Sequence, residues 1–229
     1  MTDAAGALVE LGVATLHEAA GRRFAIQGLA LCVGPPFAGP AVTVALPAGD
    51  NLGVHLAIER ASAGAVVCIA SAGAGNYGVI GDLLVDAARA RGIAGLLVDD
   101  GIRDLEQLEA PPSIAARGRN PRGTIKARVR QQVGSTVSIG RALIVSGDWV
   151  VCDHDGACVI PAEQLSKIIE AATARVAREN RLRIDIKLGR PTRELLGLIE
   201  DPTSSLARNE VARRPLRRSS YGDEDRVAG

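Results

Sequence analysis

The chain has 229 residues, of which 47% are hydrophobic and only 2% aromatic. That length suits one α/β domain or a domain plus a tail, and so few aromatics leave a core of Ala, Val, Leu and Ile with almost no stacking platforms for single-stranded nucleic acid. A formal net charge of +1 supplies no field to steer the chain to nucleic acid or to a membrane surface.

Taken in order, Ala4 to Arg22 reads as two short helices broken near Gly12. Leu8, Val9, Leu11, Val13 and Leu16 form their apolar face, with His17 and Glu18 as a polar surface pair. Gly28 to Pro40 is dense in Gly and Pro and reads as loop. Ala41 to Leu46 is a strand. Asp50 or Asn51 caps a helix that runs through Ala61, and Ala65 to Ala70 is another apolar strand.

Ser71 to Ile80 is a Gly-rich loop in which Gly73, Gly75 and Gly78 match the dinucleotide fingerprint, and Asp99 lies near where a ribose-binding acid would fall. Two features count against a nucleotide. The helical pattern starts only at Gly81, after the glycines, and only one clear strand–helix–strand unit follows.

Gly81 to Asp104 reads as helix, tight turn, buried strand and charged loop. Leu83, Leu84, Ala87, Ala88 and Ile93 recur at helical spacing, Gly92 is placed to end the helix, and Gly95 to Val98 suits a buried parallel strand. Pro111 to Gly123 reads as loop. A β-meander then follows in short runs: Thr124 to Val129, Thr136 to Ile139, Leu143 to Val145, Trp149 to Cys152 and Ala157 to Ile160, with Asp155-Gly156 as a hairpin turn. Pro161 starts a long helix through about Lys187, with Leu165, Ile168, Ile169, Ala172, Val176 and Ala177 on one side. Gly189-Arg190-Pro191 breaks it, and Thr192 to Ile199 adds a short helix. Residues 1–199 thus form one expected domain, and 200–229 a polar, Arg-rich tail, flexible or partner-bound.

Several clusters invite chemistry. Cys152, Asp153, His154, Asp155 and Cys158 lack the tight spacing of a zinc knuckle and fit a hairpin with a polar turn. The four cysteines are scattered with no secretory signal, and read as reduced thiols in a cytoplasmic protein. No apolar run reaches the roughly 18 residues of a membrane helix. Imine chemistry needs a desolvated Lys, and Lys167 and Lys187 lie on the long helix, leaving Lys126. No Gly-x-Ser-x-Gly elbow occurs.

Asp82, Arg103 and Asp104 are the more promising set. Asp82 opens a helix near its electropositive end, and the Arg-Asp pair ends the next strand, where ligands gather in α/β sheets. Mg²⁺ is usually held by one or two carboxylates plus substrate oxygens, and Arg offers a fork for a carboxylate or enolate oxygen. These parts suit a 2-oxo acid. The competing reading is an ordinary ion pair at a strand end.

Beyond these sites, the LGVATLHEAAGR opening, GPAVTV at 39–44, GDN at 49–51, GDLLVDAARARGIAGLLVDDGIRD, SGDWVVCDHDGACVIP at 146–161 and ARENR at 177–181 resemble, in that order, the RraA-like family. The likeness is to its class II 4-hydroxy-4-methyl-2-oxoglutarate/4-carboxy-4-hydroxy-2-oxoadipate aldolase branch. The resemblance implies an α/β fold: a swivelling α/β/β/α sandwich with a β-rich core, flanking helices and a long C-terminal helix.

Active members of that family carry an Asp, twenty residues and then Arg-Asp, as do Asp82, Arg103 and Asp104. The resemblance implies that Asp104 ligates Mg²⁺ or Mn²⁺, that Arg103 binds the ketone and carboxylate end of a small 2-oxo acid, and that Asp82 holds a proton-shuttling water. Gly81, Asp82, Leu83, Leu84 and Arg103 would line the substrate, with the amides of Leu83 and Leu84 on its pyruvoyl part. Glu179 would come from a neighbouring subunit, implying a trimer or dimer of trimers with no nucleic acid or membrane partner. The implied reactions are aldol cleavage releasing pyruvate and, through the same enolate, oxaloacetate decarboxylation. The chain departs from the usual pattern at Asp99-Asp100-Gly101, at Gly12 and at Ile80. The family's other branch consists of non-catalytic regulators that bind and inhibit a ribonuclease; the presence of Asp82 and Glu179 favours the enzyme.

Overall fold

The computed structural model describes residues 2–126 and 132–198. Its elements run α1 (Thr2–Leu11), α2 (Val13–Ala19), β1 (Ala25–Ile26), β2 (Ala30–Val33), β3 (Phe37–Leu46), α3 (Leu52–Arg60), β4 (Val66–Ser71), β5 (Gly78–Ile80), α4 (Asp82–Ala90), β6 (Gly95–Ile102), β7 (Ser113–Arg119), β8 (Gln132–Val133), β9 (Val137–Ile139), β10 (Ala142–Ile144), β11 (Trp149–Asp153), β12 (Gly156–Ile160), α5 (Leu165–Lys187) and α6 (Thr192–Leu195). Contacts divide the chain after Glu179 into two units. The second holds the last turns of α5 and the short α6. Among the described residues no helix is long and apolar enough to cross a membrane.

The first unit is built around four parallel strands in the order β3-β4-β6-β7. Both faces of this sheet are buried, and each strand carries a short run dominated by apolar residues, such as Val66 to Ala70 and Gly95 to Val98. Along β4, Val67 and Ile69 enter one cluster while Val66 and Cys68 enter another, as side chains alternate across a strand. Helices α3 and α4 cover the first face through Val54, Ala57, Ile58, Leu84, Val85 and Ala88. The second face meets β11, β12 and the β9–β10 hairpin through Val150, Cys152, Val159, Ile139 and Ile144. The outer side of β11 and β12 presents Val151, Cys158 and Ile160 to Leu8, Leu16, Ile168 and Ala172 of α1, α2 and α5. The layers are therefore α/β/β/α, as the resemblance implied.

Strand β3 belongs to both sheets. Phe37 to Pro40 pair antiparallel with β11, and Ala41 to Leu46 pair parallel with β4. This corrects the expected loop over Gly28 to Pro40, which instead holds β2 and the first part of β3. Pro40 stands where the strand changes partner, and so its missing N–H does not interrupt a continuous ladder. The expected loop from Pro111 to Gly123 likewise contains β7, hydrogen-bonded parallel to β6. Its short Ile114-Ala115-Ala116 run was masked by flanking Pro, Arg and Asn.

The expected meander is two separate hairpins, β9–β10 and β11–β12. The second turns on His154-Asp155, one residue earlier than expected, since Asp153 pairs with Gly156. Of the expected strand at Thr124 to Val129, Ile125 forms a single bridge to Asp50, and residues 127–129 lie outside the described ones. The expected helix at Thr192 to Ile199 is observed over Thr192–Leu195, with residue 199 outside the described ones.

Candidate active site

The site begins with a three-residue strand. β5 pairs parallel with the end of β6, Gly78 opposite Gly101 and Ile80 opposite Ile102. Whatever follows Ile80 must then lie beside whatever follows Ile102, so Gly81-Asp82 and Arg103-Asp104 become neighbours despite the helix between them. Gly81 is the N-cap of α4 and Asp82 its first residue, where a carboxylate meets the positive end of the helix dipole.

Asp104 adopts a left-handed backbone at φ 57° and ψ 34°, a conformation that costs a non-glycine residue on the order of 1–3 kcal/mol and clusters at functional sites. Its Oδ2 lies 3.3 Å from Arg103 Nε. A Cβ on Gly81 would overlap that same Oδ2, and would come within 3.2 Å of Arg103 Nε. Gly81 is thus the open floor on which both side chains rest.

Arg103 divides two cavities. One, of about 130 Å³, is lined by Asp82, Leu83, Leu84, Gly81 and Arg103 together with Asn51, His55 and Lys126. The other, of about 250 Å³, is lined by Arg103, Asp104, Arg119 and Asn120 among others. The structure brings Asp82, Arg103 and Asp104 close to Gly81, with Asp82 lining the smaller cavity, Asp104 the larger and Arg103 both. Asp82 Oδ1 accepts from the Leu83 amide at 2.7 Å. Leu83, one of the apolar residues at helical spacing, is 79% exposed and lines the smaller cavity, while Leu84, Val85 and Ala88 form the buried face of α4. Among the described residues no three His, Cys, Asp or Glu gather into a metal cage.

Glu179 lines neither cavity. It lies on α5, where Arg175 Nε holds its Oε1 at 2.8 Å, and Arg175 also pairs with Glu18. Glu18, expected as a plain surface residue, is therefore tied to Glu179 through one guanidinium. His17 Nδ1 lies 2.8 Å from the Arg23 carbonyl and takes no part in the site.

Sequence reasoning missed three residues of the smaller cavity. Asp50 Oδ1 accepts from the Leu52 amide at 2.7 Å and so caps α3, which frees the Asn51 side chain from capping. Asn51 Nδ2 donates to the Val79 carbonyl at 3.1 Å. His55 follows one turn later on the same face. The Ile125 bridge, with Asn51 N donating to Ile125 O at 3.2 Å, carries Lys126 to this helix end. Burial, with Lys126 beside it, holds the His55 imidazole below its ordinary pKa, against a smaller opposing pull from Glu59. The Asn-x-x-x-His spacing at a helix start was the signal available for two of the three.

The competing sites dissolve. Asp100 sits beneath the Gly-rich loop, accepting from Ser71 Oγ at 2.5 Å, Tyr77 N at 3.0 Å and Gly101 N at 2.9 Å. A Cβ on Gly73 would overlap its carboxylate. Gly73 therefore packs on a carboxylate, while Gly75 meets Arg117 and Gly78 meets the Asn120 carbonyl and Arg103, so close packing within the protein accounts for all three glycines without a nucleotide. Asp99 is paired with Arg117 at 2.6 Å. Cys152 and Cys158 point into different clusters, and burial pushes both thiols up to about 12. Asp153 accepts from the amides of Val13 at 2.7 Å and Asp155 at 2.8 Å, serving the start of α2 and its own hairpin.

Known proteins resemble this chain in sequence and in fold. A Halalkalibacterium halodurans protein, provisionally named a 4-hydroxy-4-methyl-2-oxoglutarate aldolase, is 36% identical over 143 residues, 61% of this chain and 66% of that protein; the match thus spans just under two thirds of the relative. A crystal structure of an uncharacterised Pseudomonas syringae pv. tomato protein superposes with a TM-score of 0.73 at 25% identity, covering 85% of this chain and 92% of the other. The structure of Streptomyces coelicolor RraAS2, described as an unusual member of the RNase ES inhibitor RraA family, superposes with a TM-score of 0.67 at 27% identity, covering 79% and 96%. The profile of the RraA-like family, described as Aldolase/RraA, matches residues 3–159, and the chain belongs to that family.

Proposed function

We propose that the chain is a divalent-metal-dependent pyruvate aldolase. It cleaves 4-hydroxy-2-oxo diacids, of the 4-hydroxy-4-methyl-2-oxoglutarate or 4-carboxy-4-hydroxy-2-oxoadipate type, into pyruvate and a second 2-oxo acid, and decarboxylates oxaloacetate as a side activity. The observation that carries this reading is the β5–β6 register, which gathers Asp82, Arg103 and Asp104 around Gly81 at a helix start. The provisional name of the Halalkalibacterium halodurans relative supports the same reading.

The residues fit a hard cation. Asp104 offers one carboxylate over a glycine floor, and one carboxylate with waters and substrate oxygens is a usual Mg²⁺ arrangement. Such an ion, Mg²⁺ or Mn²⁺, would polarise the 2-oxo group as a Lewis acid. Arg103 binds the 1-carboxylate and ketone end and faces the negative charge that grows on the enolate oxygen. The Asp82 side chain rotates away from the Leu83 amide, from which its Oδ1 now accepts, and that fixed amide donates to the pyruvoyl carboxylate instead. Asp82 is thereby released to hold the water that moves protons at the reacting carbons. Glu179 joins the site from a neighbouring copy in a trimer or a dimer of trimers.

The test is a coupled pyruvate assay with Mg²⁺ or Mn²⁺ and chelator controls. The absence of metal-dependent turnover of both oxaloacetate and a 4-hydroxy-2-oxo diacid sinks the proposal. The similarity to RraAS2 favours a second reading, a non-catalytic regulator of a ribonuclease. Capture of a ribonuclease without chelator-sensitive catalysis would select it.

A further inference from the structure

We propose that Asn51 and His55 form a subsite for the 4-hydroxyl of the substrate, and that this pair sets the preference for aldol cleavage over decarboxylation. The proposal rests on the aldolase reading above.

Asn51 is 7% exposed. Its Nδ2 donates to the Val79 carbonyl, which fixes the amide and leaves Oδ1 as the free end. That Oδ1 is shielded from solvent and has no hydrogen-bond partner among the described residues, and the same is true of His55 Nε2. Both side chains come from one face of α3, and both residues line the cavity shared with Asp82 and Arg103. Buried polar atoms are nearly always partnered, so two orphaned atoms on residues that line one cavity mark the place of a ligand group.

Their chemistry narrows that group. An amide oxygen only accepts, so a carboxylate or ketone oxygen cannot satisfy Asn51 Oδ1. An imidazole nitrogen donates or accepts according to its tautomer, and the neutral ring is favoured here by burial and Lys126. A hydroxyl meets both needs: it donates to Asn51 Oδ1 and, with the proton on Nε2, accepts from His55. Arg103 and Lys126, in the same cavity, remain for the anionic ends. A 4-hydroxy-2-oxo diacid carries that hydroxyl and oxaloacetate does not. Sites built to pair a hydroxyl discriminate strongly against analogues lacking it.

The experiment measures kcat/KM of the full-length protein with Mg²⁺ for 4-hydroxy-4-methyl-2-oxoglutarate and for oxaloacetate, in the wild type, His55→Leu and Asn51→Ala. The ratio of the two values does not depend on how much of a variant is folded. The expected result is a fall in the aldol-to-decarboxylation ratio of tenfold or more in either variant. An unchanged ratio in both, or a wild type that turns over oxaloacetate alone, overturns the hydroxyl subsite. A wild type that turns over neither substrate overturns the aldolase reading itself.

Discussion

The amide of Arg103 donates to the carbonyl of Ile80 at 2.9 Å. This bond extends the β5–β6 pairing one step beyond Ile80 and Ile102. It sets Asp82 and Arg103, with twenty residues of chain between them, side by side: an acid at a helix start on one side and an Arg-Asp pair at a strand end on the other.

Gly81→Ala tests the glycine floor. The added methyl meets Asp104 Oδ2 and Arg103 Nε rather than the core. Metal affinity and turnover should fall roughly 10–100-fold, as when groups that orient a ligand are disturbed. Mg²⁺ titration of pyruvate release would register this, while the thermal midpoint should hardly move. A variant with wild-type metal response would remove Asp104 from the proposed role.

Arg103→Ala and Glu179→Ala make a complementation pair. Each alone should lose about 10²–10³-fold in kcat. If Glu179 serves a neighbour's site, a mixture co-refolded from the two variants regains part of the activity, because some sites then contain both native residues. No recovery would confine Glu179 to a structural role beside Arg175.

Arg117→Ala should destabilise the fold by about 1–3 kcal/mol, the cost of leaving a buried group unpaired. Burial already raises the Asp99 pKa against the pull of Arg117, and that pull is lost in the variant. Urea midpoints would measure the loss, and adding Asp99→Asn should recover part of it.

Stability should also depend on His55. Its folded pKa is lowered from the ordinary 6.5, so the folded state resists protonation and the unfolded chain does not. The contribution is intact above 6.5 and shrinks as pH falls through that value toward the lower folded one. Urea unfolding at a series of pH values should show a shallower acid-side decline in His55→Gln than in the wild type.

Thiol labelling of the native protein should find Cys32 alone. It is partly exposed, whereas Cys68, Cys152 and Cys158 are buried with thiols raised by that burial, and the reactive species is the thiolate. All four should react once the chain is unfolded.

Much of this was legible in the residues. Apolar periodicity marked α4 and β6, and the motif order marked the family and its layered fold. β2, β7 and the first part of β3 were not legible, because Gly, Pro and Arg in those stretches resemble loop chemistry until partner strands supply the ladder. Helical spacing alone did not separate exposed Leu83 from buried Leu84 and Ala88, because an apolar residue beside a site looks like one beside a core. Lys126 reaches α3 through the Ile125 bridge, a long-range contact that local spacing cannot announce. Asn51 and His55 carried a local signal, but its meaning depended on Asp50 taking over the cap.

The double membership of β3 bears on how the first unit comes apart. Since the strand is stitched to β11 at one end and β4 at the other, neither sheet can peel away without unzipping the seam they share. Amides in the two sheets should therefore exchange their hydrogens with one common protection energy. A chain nicked between Pro40 and Ala41 should lose that common value.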